Sequence, residues 1–119
     1  MDFTEKNGIY HIKTSKLIMD IVSLLEEGKH KNEDIAARFQ IELANTFADI
    51  TIELAKKTSI DKIGLTGGVA YNYSFSKTIK DKVTQSNLIF LNHNNISPGD
   101  AGISIGQLIG GLFEHNKKS

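Results

Sequence analysis

Apolar residues recur along this chain at two spacings, one helical and one extended, and their alternation marks out the elements. Leu17, Ile18, Ile21, Val22 and Leu25 fall three or four residues apart, which gathers them on one face of a helix. Thr14 or Ser15 can cap its start by accepting a hydrogen bond from a free amide, and Gly28 suits the left-handed residue at its end. Lys29 to Lys31 is a polar link. A longer period follows, with Ala36, Phe39, Leu43, Phe47, Ile50 and Leu54 on one side and Glu42, Asn45, Asp49, Glu53 and Lys56 on the other. With Asn32 as N-cap and Glu33 and Asp34 in the first turn, this predicts an amphipathic helix of about seven turns, reaching Lys57. Arg38 and Gln40, either side of Phe39, read as surface or hinge positions. Residues 1 to 13 are mixed, with one β-like run at Ile9-Tyr10-His11-Ile12.

Beyond residue 60 the period shortens. Ile63 to Leu65 is a strand-length apolar run that stops at Thr66 and a Gly67-Gly68 pair. Phe75, Ile79 and Val83 then give a helix an apolar stripe, with Lys77, Lys80, Asp81 and Lys82 toward solvent. Asn87 to Leu91 is a second buried-type strand. Two strands joined by a helix predict a right-handed βαβ unit with parallel strands. The loop Asn92 to Gly99 delivers Asp100 to a last helix, Ala101 to about Phe113, in which Gly102, Gly106 and Gly110 recur every fourth residue. Each such glycine costs a helix about 1 kcal/mol relative to alanine. The repeat therefore predicts close approach, either of another helix or of a ligand. A transmembrane dimer face is excluded, because the apolar stretch is short and Asp100 opens it.

Composition narrows the classes. A chain of 119 residues fits one domain, divided here into a helical part, 14–57, and a βαβα part, 61–115. Fourteen basic and fourteen acidic residues cancel, so the electrostatic footprint of a nucleic-acid binder is missing. The absence of cysteine excludes disulfides, zinc knuckles and thiol nucleophiles. The first residues lack an apolar signal core, and no run is long enough to cross a bilayer. These features predict a soluble, cytoplasmic chain with neither a nucleic-acid nor a membrane partner.

The candidate chemistry sits where the strands end. Ligands of parallel sheets bind at the carboxyl ends of strands, where both Gly67-Gly68 and the loop after Leu91 emerge. Paired glycines let a ligand reach bare backbone, and amides at a helix start suit a phosphate. The same pair also serves as a tight strand-to-helix turn. The pattern is neither GxGxxG nor GxxxxGK[ST]. Asp100 is an N-cap, a metal ligand or a base on position alone. The four histidines, His11, His30, His93 and His115, show no HxxxH or HExxH spacing, and only His93 lies near this corner. No catalytic nucleophile or base is designated by these patterns.

Three motifs in order carry a resemblance: Ile35-Ala36-Ala37-Arg38-Phe39, then Leu65-Thr66-Gly67-Gly68-Val69-Ala70-Tyr71-Asn72, then Ser97-Pro98-Gly99-Asp100-Ala101-Gly102-Ile103-Ser104-Ile105-Gly106-Gln107. Together they resemble the C-terminal end of the HypF carbamoyltransferases, which mature NiFe-hydrogenases. More distantly they are similar to the tRNA threonylcarbamoyl-transfer proteins that share that domain. The resemblance covers about Thr14 to Gly111 and implies an α/β fold, half of an actin-like, ribonuclease-H-like ATPase domain, with a short parallel βαβ unit behind long N-terminal helices.

By the same resemblance, Gly67, Gly68 and Asn72 would contact ATP, and Asp100 would be a ligand of a divalent metal completed from outside this chain. The family forms a carbamoyl-adenylate from carbamoyl phosphate and ATP and passes the carbamoyl group to the C-terminal cysteine of the partner protein HypE. The family's upstream HxxxH motif and its acylphosphatase-like, zinc-finger and adenylate-forming domains are missing here. Gln40 stands where the family often has His, Gly99 replaces Asn, and Ala101 replaces Gly. The expectation is therefore a C-terminal lobe of a larger enzyme, inactive alone, that associates with the remaining domains and forms a weak homodimer when separate from them. Two other readings stand beside it. One is a lobe of a threonylcarbamoyl-transfer protein or another actin-like kinase; the other is a non-catalytic module that docks a helix on the glycine-lined face.

Overall fold

A computed structural model describes residues 3–117. It opens with a β-hairpin that the hydrophobic pattern did not disclose in full. Strand β1, Phe3–Lys6, pairs antiparallel with β2, Ile9–Ile12, in the register Phe3 to Ile12 and Lys6 to Ile9. Asn7 and Gly8 both take positive φ, 55° and 77°, as a two-residue hairpin turn of matching twist requires. The hairpin is clasped to the long helix by polar contacts. The Tyr10 hydroxyl donates to Glu53 Oε1 at 2.8 Å, and Lys57 Nζ donates to Glu5 Oε2 at 2.6 Å and to the Tyr10 oxygen at 2.7 Å. The Lys57 ammonium also lies 2.8 Å from Glu53.

Helix α1, Thr14–Glu27, ends as expected, with Gly28 at φ 62° and its amide bonded to the Leu25 carbonyl. Its start differs, because Lys13 takes the cap position and neither Thr14 nor Ser15 supplies a side-chain cap. Only Leu17 of its apolar face is buried, while Ile18, Val22 and Leu25 stay exposed. Helix α2 spans Asn32–Thr58, about 40 Å at 1.5 Å per residue. Lys31 rather than Asn32 occupies its cap position.

The buried side of α2 is the stripe of large residues only in part: Ile50 is buried and Leu43 packs against the core, but small residues make most of the contact. Ala44, Ala48, Ile52 and Ala55 pack with Ile63, Phe75, Ile79 and Val83 to form the core, whereas Phe47 and Leu54 are exposed. Alanine carries little hydrophobic signal but allows another helix to approach closely, so the face of smallest residues became the contact. Ile35, Thr46 and Ile50 are buried outside that cluster, and the Thr46 hydroxyl is satisfied by the Glu42 carbonyl at 2.9 Å.

Strand β3, Lys62–Gly64, pairs parallel with β4, Ile89–Leu91, opposing Ile63 to Phe90. Helix α3, Tyr73–Gln85, joins them and covers the sheet with Phe75, Ile79 and Val83. The expected βαβ unit is therefore present, with β3 shifted one residue toward the N-terminus of its apolar run and β4 two residues shorter than its own. Lys82 is not purely solvated; its ammonium lies 2.6 Å from Asp49 of α2 and ties the two helices together. Helix α4, Ala101–Lys117, runs past the expected end at Phe113 and has no buried residue. Ile103, Leu108, Leu112 and Phe113 are all exposed along it.

The molecule is accordingly extended. Its radius of gyration is 18.1 Å, against about 13.5 Å for a compact chain of this length. Its accessible surface is 8790 Å², against about 6400 Å² for a compact monomer of this mass. No helix of the described residues is long and apolar enough to cross a membrane.

Candidate functional site

The polypeptide leaves β3 through Leu65 and Thr66 and turns at Gly67, whose φ of 99° and ψ of 173° are open to glycine alone. The next residues do not enter the α-helix directly. Gly68–Tyr71 forms one 3-10 turn, and Asn72 then caps α3 by accepting the Phe75 amide at 3.0 Å. The expected anion-facing helix start is therefore spent on Asn72. The open donors lie earlier, since the amides of Gly68 and Val69 have no hydrogen-bond acceptor among the described residues. A Cβ built on Gly67 or Gly68 meets no atom within 4 Å, so the backbone there is bare and faces open space. Bare, undonated amides suit a phosphate-bearing ligand.

The side chain of Asn72 is engaged on both sides. Its Nδ2 donates to Gln40 Oε1 of α2 at 2.9 Å while Oδ1 caps α3. Gln40 is thus no hinge or free surface residue, and Asn72 reaches a ligand only through its remaining hydrogen and lone pair. Arg38 makes an i,i+4 pair with Glu42, Nε to Oε1 at 3.4 Å, on the surface.

The loop after β4 folds back over the corner. The Pro98 carbonyl accepts from the Gly67 amide at 2.6 Å and from the Thr66 hydroxyl at 2.9 Å. His93 donates Nε2–H to the Leu65 carbonyl at 2.9 Å, which makes it a brace and not a solvated loop residue. The Tyr71 hydroxyl hydrogen-bonds Ser97 Oγ, and the Tyr71 ring lies so close to Gly99 that an added Cβ would stand 2.7 Å from it. Gly102 passes the same loop, where a Cβ would come within 2.6 Å of the Ser97 carbonyl. Gly106 and Gly110 meet nothing within 4 Å. Close approach therefore accounts for one glycine of the three.

A cleft of about 390 Å³ results, lined by Thr66, Gly67, His93, Ser97, Gly99 and Asp100. Asp100 does not cap α4. Its carboxylate makes no hydrogen bond or ion pair among the described residues, and only its carbonyl is used, by the Ile103 amide at 3.0 Å. The structure thus joins Gly67 and Asp100 on one cleft and sets Gly68 beside it, with Asn72 behind the corner. Among the described residues no three His, Cys, Asp or Glu side chains come together to hold a metal ion. These residues alone do not make a metal site. Thr66, Tyr71 and Ser97 carry no separate signal in the sequence, because their partners lie 32 and 26 residues away.

A family model described as carbamoyltransferase, Kae1-like domain, second subdomain, matches residues 1–107. The chain is 33% identical over 102 residues to the probable carbamoyltransferase HypF of Methanocaldococcus jannaschii, a match that takes in 86% of this chain and 13% of that protein. It is 34% identical over 77 residues to the tRNA N6-adenosine threonylcarbamoyltransferase of Caldicellulosiruptor bescii, covering 64% of this chain and 23% of that one. The crystal structure of T. kodakarensis HypF matches with a TM-score of 0.74 at 31% identity, over 88% of this chain and 14% of that chain. The chain thus spans about a seventh of the length of the HypF proteins it matches. A family match running from the hairpin into α4, together with a shared fold, makes this chain a member of the carbamoyltransferase Kae1-like family, corresponding to its second subdomain.

Proposed function

We propose that this chain is the C-terminal nucleotide-binding lobe of a HypF-like carbamoyltransferase. In this reading the complete cytoplasmic enzyme forms carbamoyl-adenylate from carbamoyl phosphate and ATP. It then delivers the carbamoyl group to the C-terminal cysteine of a HypE-like acceptor during NiFe-hydrogenase maturation. The lobe's part is to hold ATP. Gly67 turns the backbone, Gly68 and Val69 offer amides to phosphate oxygens, and Asn72 fixes the start of α3 behind them. Asp100 is assigned one coordination position of a divalent metal, whose other ligands come from outside this chain.

The observation that carries this reading is the bare glycine corner with two undonated amides beside the free carboxylate of Asp100. The exposed apolar residues of α1 and α4 support the view that further domains cover this lobe, and that alone it is inactive and self-associates weakly. Sedimentation equilibrium showing a monomer at every concentration would remove the self-association.

Titration calorimetry of ATP with Mg²⁺ into the chain and into Gly68→Val tests the reading. Binding to the former and not to the latter is expected. Equal binding by both, or none by a complete parent enzyme, overturns it. The 34% identity to a threonylcarbamoyltransferase favours a second reading, in which the acceptor is a tRNA. Carbamoyl transfer by the complete enzyme to a HypE-like C-terminal peptide and not to tRNA decides between them.

A further inference from the structure

The loop 92–100 is joined to the glycine corner by contacts that the nucleotide reading does not use. Two donors from consecutive residues, the Gly67 amide and the Thr66 hydroxyl, converge on the single carbonyl of Pro98. Both lone pairs of that oxygen are thereby occupied, which fixes its orientation as well as its distance. Pro98 has a locked φ and stands two residues before Asp100. The Ser97 side chain, next to it, accepts the Gly99 amide at 3.2 Å and hydrogen-bonds Tyr71. Thr66 itself is exposed and lies outside the core cluster.

We propose that Thr66 is a positioning residue, whose hydroxyl locks the Pro98 carbonyl onto the glycine corner and so holds the Asp100 carboxylate on the wall of the cleft. This rests on the reading of that cleft as the nucleotide site. Its consequence is that the phosphate-facing amides and the carboxylate form one rigid unit, although 31 residues of chain lie between Gly68 and Asp100. Threonine and serine both satisfy the requirement, and valine, of nearly equal shape, does not.

Two measurements on the full chain test this separately. Amide hydrogen exchange followed by NMR reads the lock without ligand. Gly67 is expected to exchange about tenfold faster in Thr66→Val than in the wild type, with Thr66→Ser restoring protection and Ile79 and Val83 unchanged. Unchanged exchange at Gly67 in Thr66→Val, or faster exchange throughout the core, overturns the lock. Calorimetry with ATP and Mg²⁺ then reads the positioning. Asp100→Asn is expected to weaken binding several-fold in the wild type and to have no further effect in Thr66→Val, while Thr66→Ser binds as the wild type does. Additive losses from Thr66→Val and Asp100→Asn overturn the positioning role. If the chain alone binds no ATP, the same variants are read in the complete parent enzyme, and an intact lock with no ATP binding there overturns the nucleotide reading, and the positioning role with it.

Discussion

Asn72 donates its side-chain N–H to Gln40 Oε1 at 2.9 Å while its oxygen holds the Phe75 amide, so one carboxamide ties α2 to the first turn of α3. Removing the oxygen and removing the nitrogen therefore have different consequences. Asn72→Leu loses the cap and leaves Gln40 without its donor, and is expected to cost about 1–2 kcal/mol of stability. Asn72→Asp keeps the cap, and Gln40 can rotate to present its own N–H₂ to the new carboxylate. That variant is expected to lie within about 0.5 kcal/mol of the wild type. Urea unfolding of the two variants checks the difference, and equal losses would show that the cap contributes nothing.

Gly67 and Gly68 are adjacent but serve different ends. Gly67 has φ of 99°, so alanine there is strained whatever the free space, at about 1–3 kcal/mol. Gly68 has no such φ, and an added Cβ meets nothing within 4 Å. Gly68→Ala should therefore leave the unfolding midpoint unchanged and weaken ATP binding by standing over the open amides. Gly67→Ala should lower the midpoint outright. Paired urea and calorimetric titrations separate the two effects, and a stability loss at Gly68 would contradict this division.

The fold was legible where large side chains carried the burial and obscure where small ones did. Phe75, Ile79 and Val83 read correctly as the buried stripe of α3, and the parallel pairing of the two strands followed from them. The contact face of α2 was legible only at Leu43 and Ile50, because Ala44, Ala48 and Ala55 bury by proximity and not by hydrophobic weight. Asn7-Gly8 is a strong hairpin signal, but β1 is too mixed in Phe3-Thr4-Glu5-Lys6 to show alternation. At the site, the glycine corner and Asp100 stood out from the motifs. The role of Gln40 did not, because its partner lies 32 residues away and no local pattern links them.

The glycines of α4 divide in the same way. Gly102→Ala would place a Cβ 2.6 Å from the Ser97 carbonyl, a rigid backbone atom, so the loop must shift. Gly106→Ala and Gly110→Ala meet open space and remove the conformational cost of glycine, about 1 kcal/mol each. In the chain alone, circular dichroism should show α4 melting later in Gly106→Ala and Gly110→Ala. Gly102→Ala should disturb the resonances of Ser97 and Gly99 instead. Stabilisation by all three substitutions would mean that the loop does not rest on α4.

The hairpin clasp sets a pH window. Glu53 is held below the ordinary carboxylate value of 4.5 by its hydrogen bond with Lys57 and then by that from Tyr10. Lys57 is raised above 10.5, first by Glu5, then by Glu53 and Tyr10. A depressed carboxyl contributes stability that is complete above its unfolded value and is lost as pH falls through its folded one. A raised ammonium contributes stability that is complete below its unfolded value and is lost as pH climbs through its folded one. Tyr10, also in the clasp, is raised above its ordinary 10.0, so the clasp is whole between 4.5 and 10.0 and loosens on either side. Because these side chains are exposed, the effect belongs to hairpin docking and not to global unfolding. NMR contacts between the Tyr10 ring and α2 should persist at pH 7, fade on titration below pH 4.5, and leave Ile79 and Val83 unaffected. Glu53→Gln keeps an acceptor for Tyr10 and abolishes the charge, so its contacts should be weaker at neutral pH and show less acid dependence. Retention of the full acid transition in Glu53→Gln would show that Glu53 does not set it.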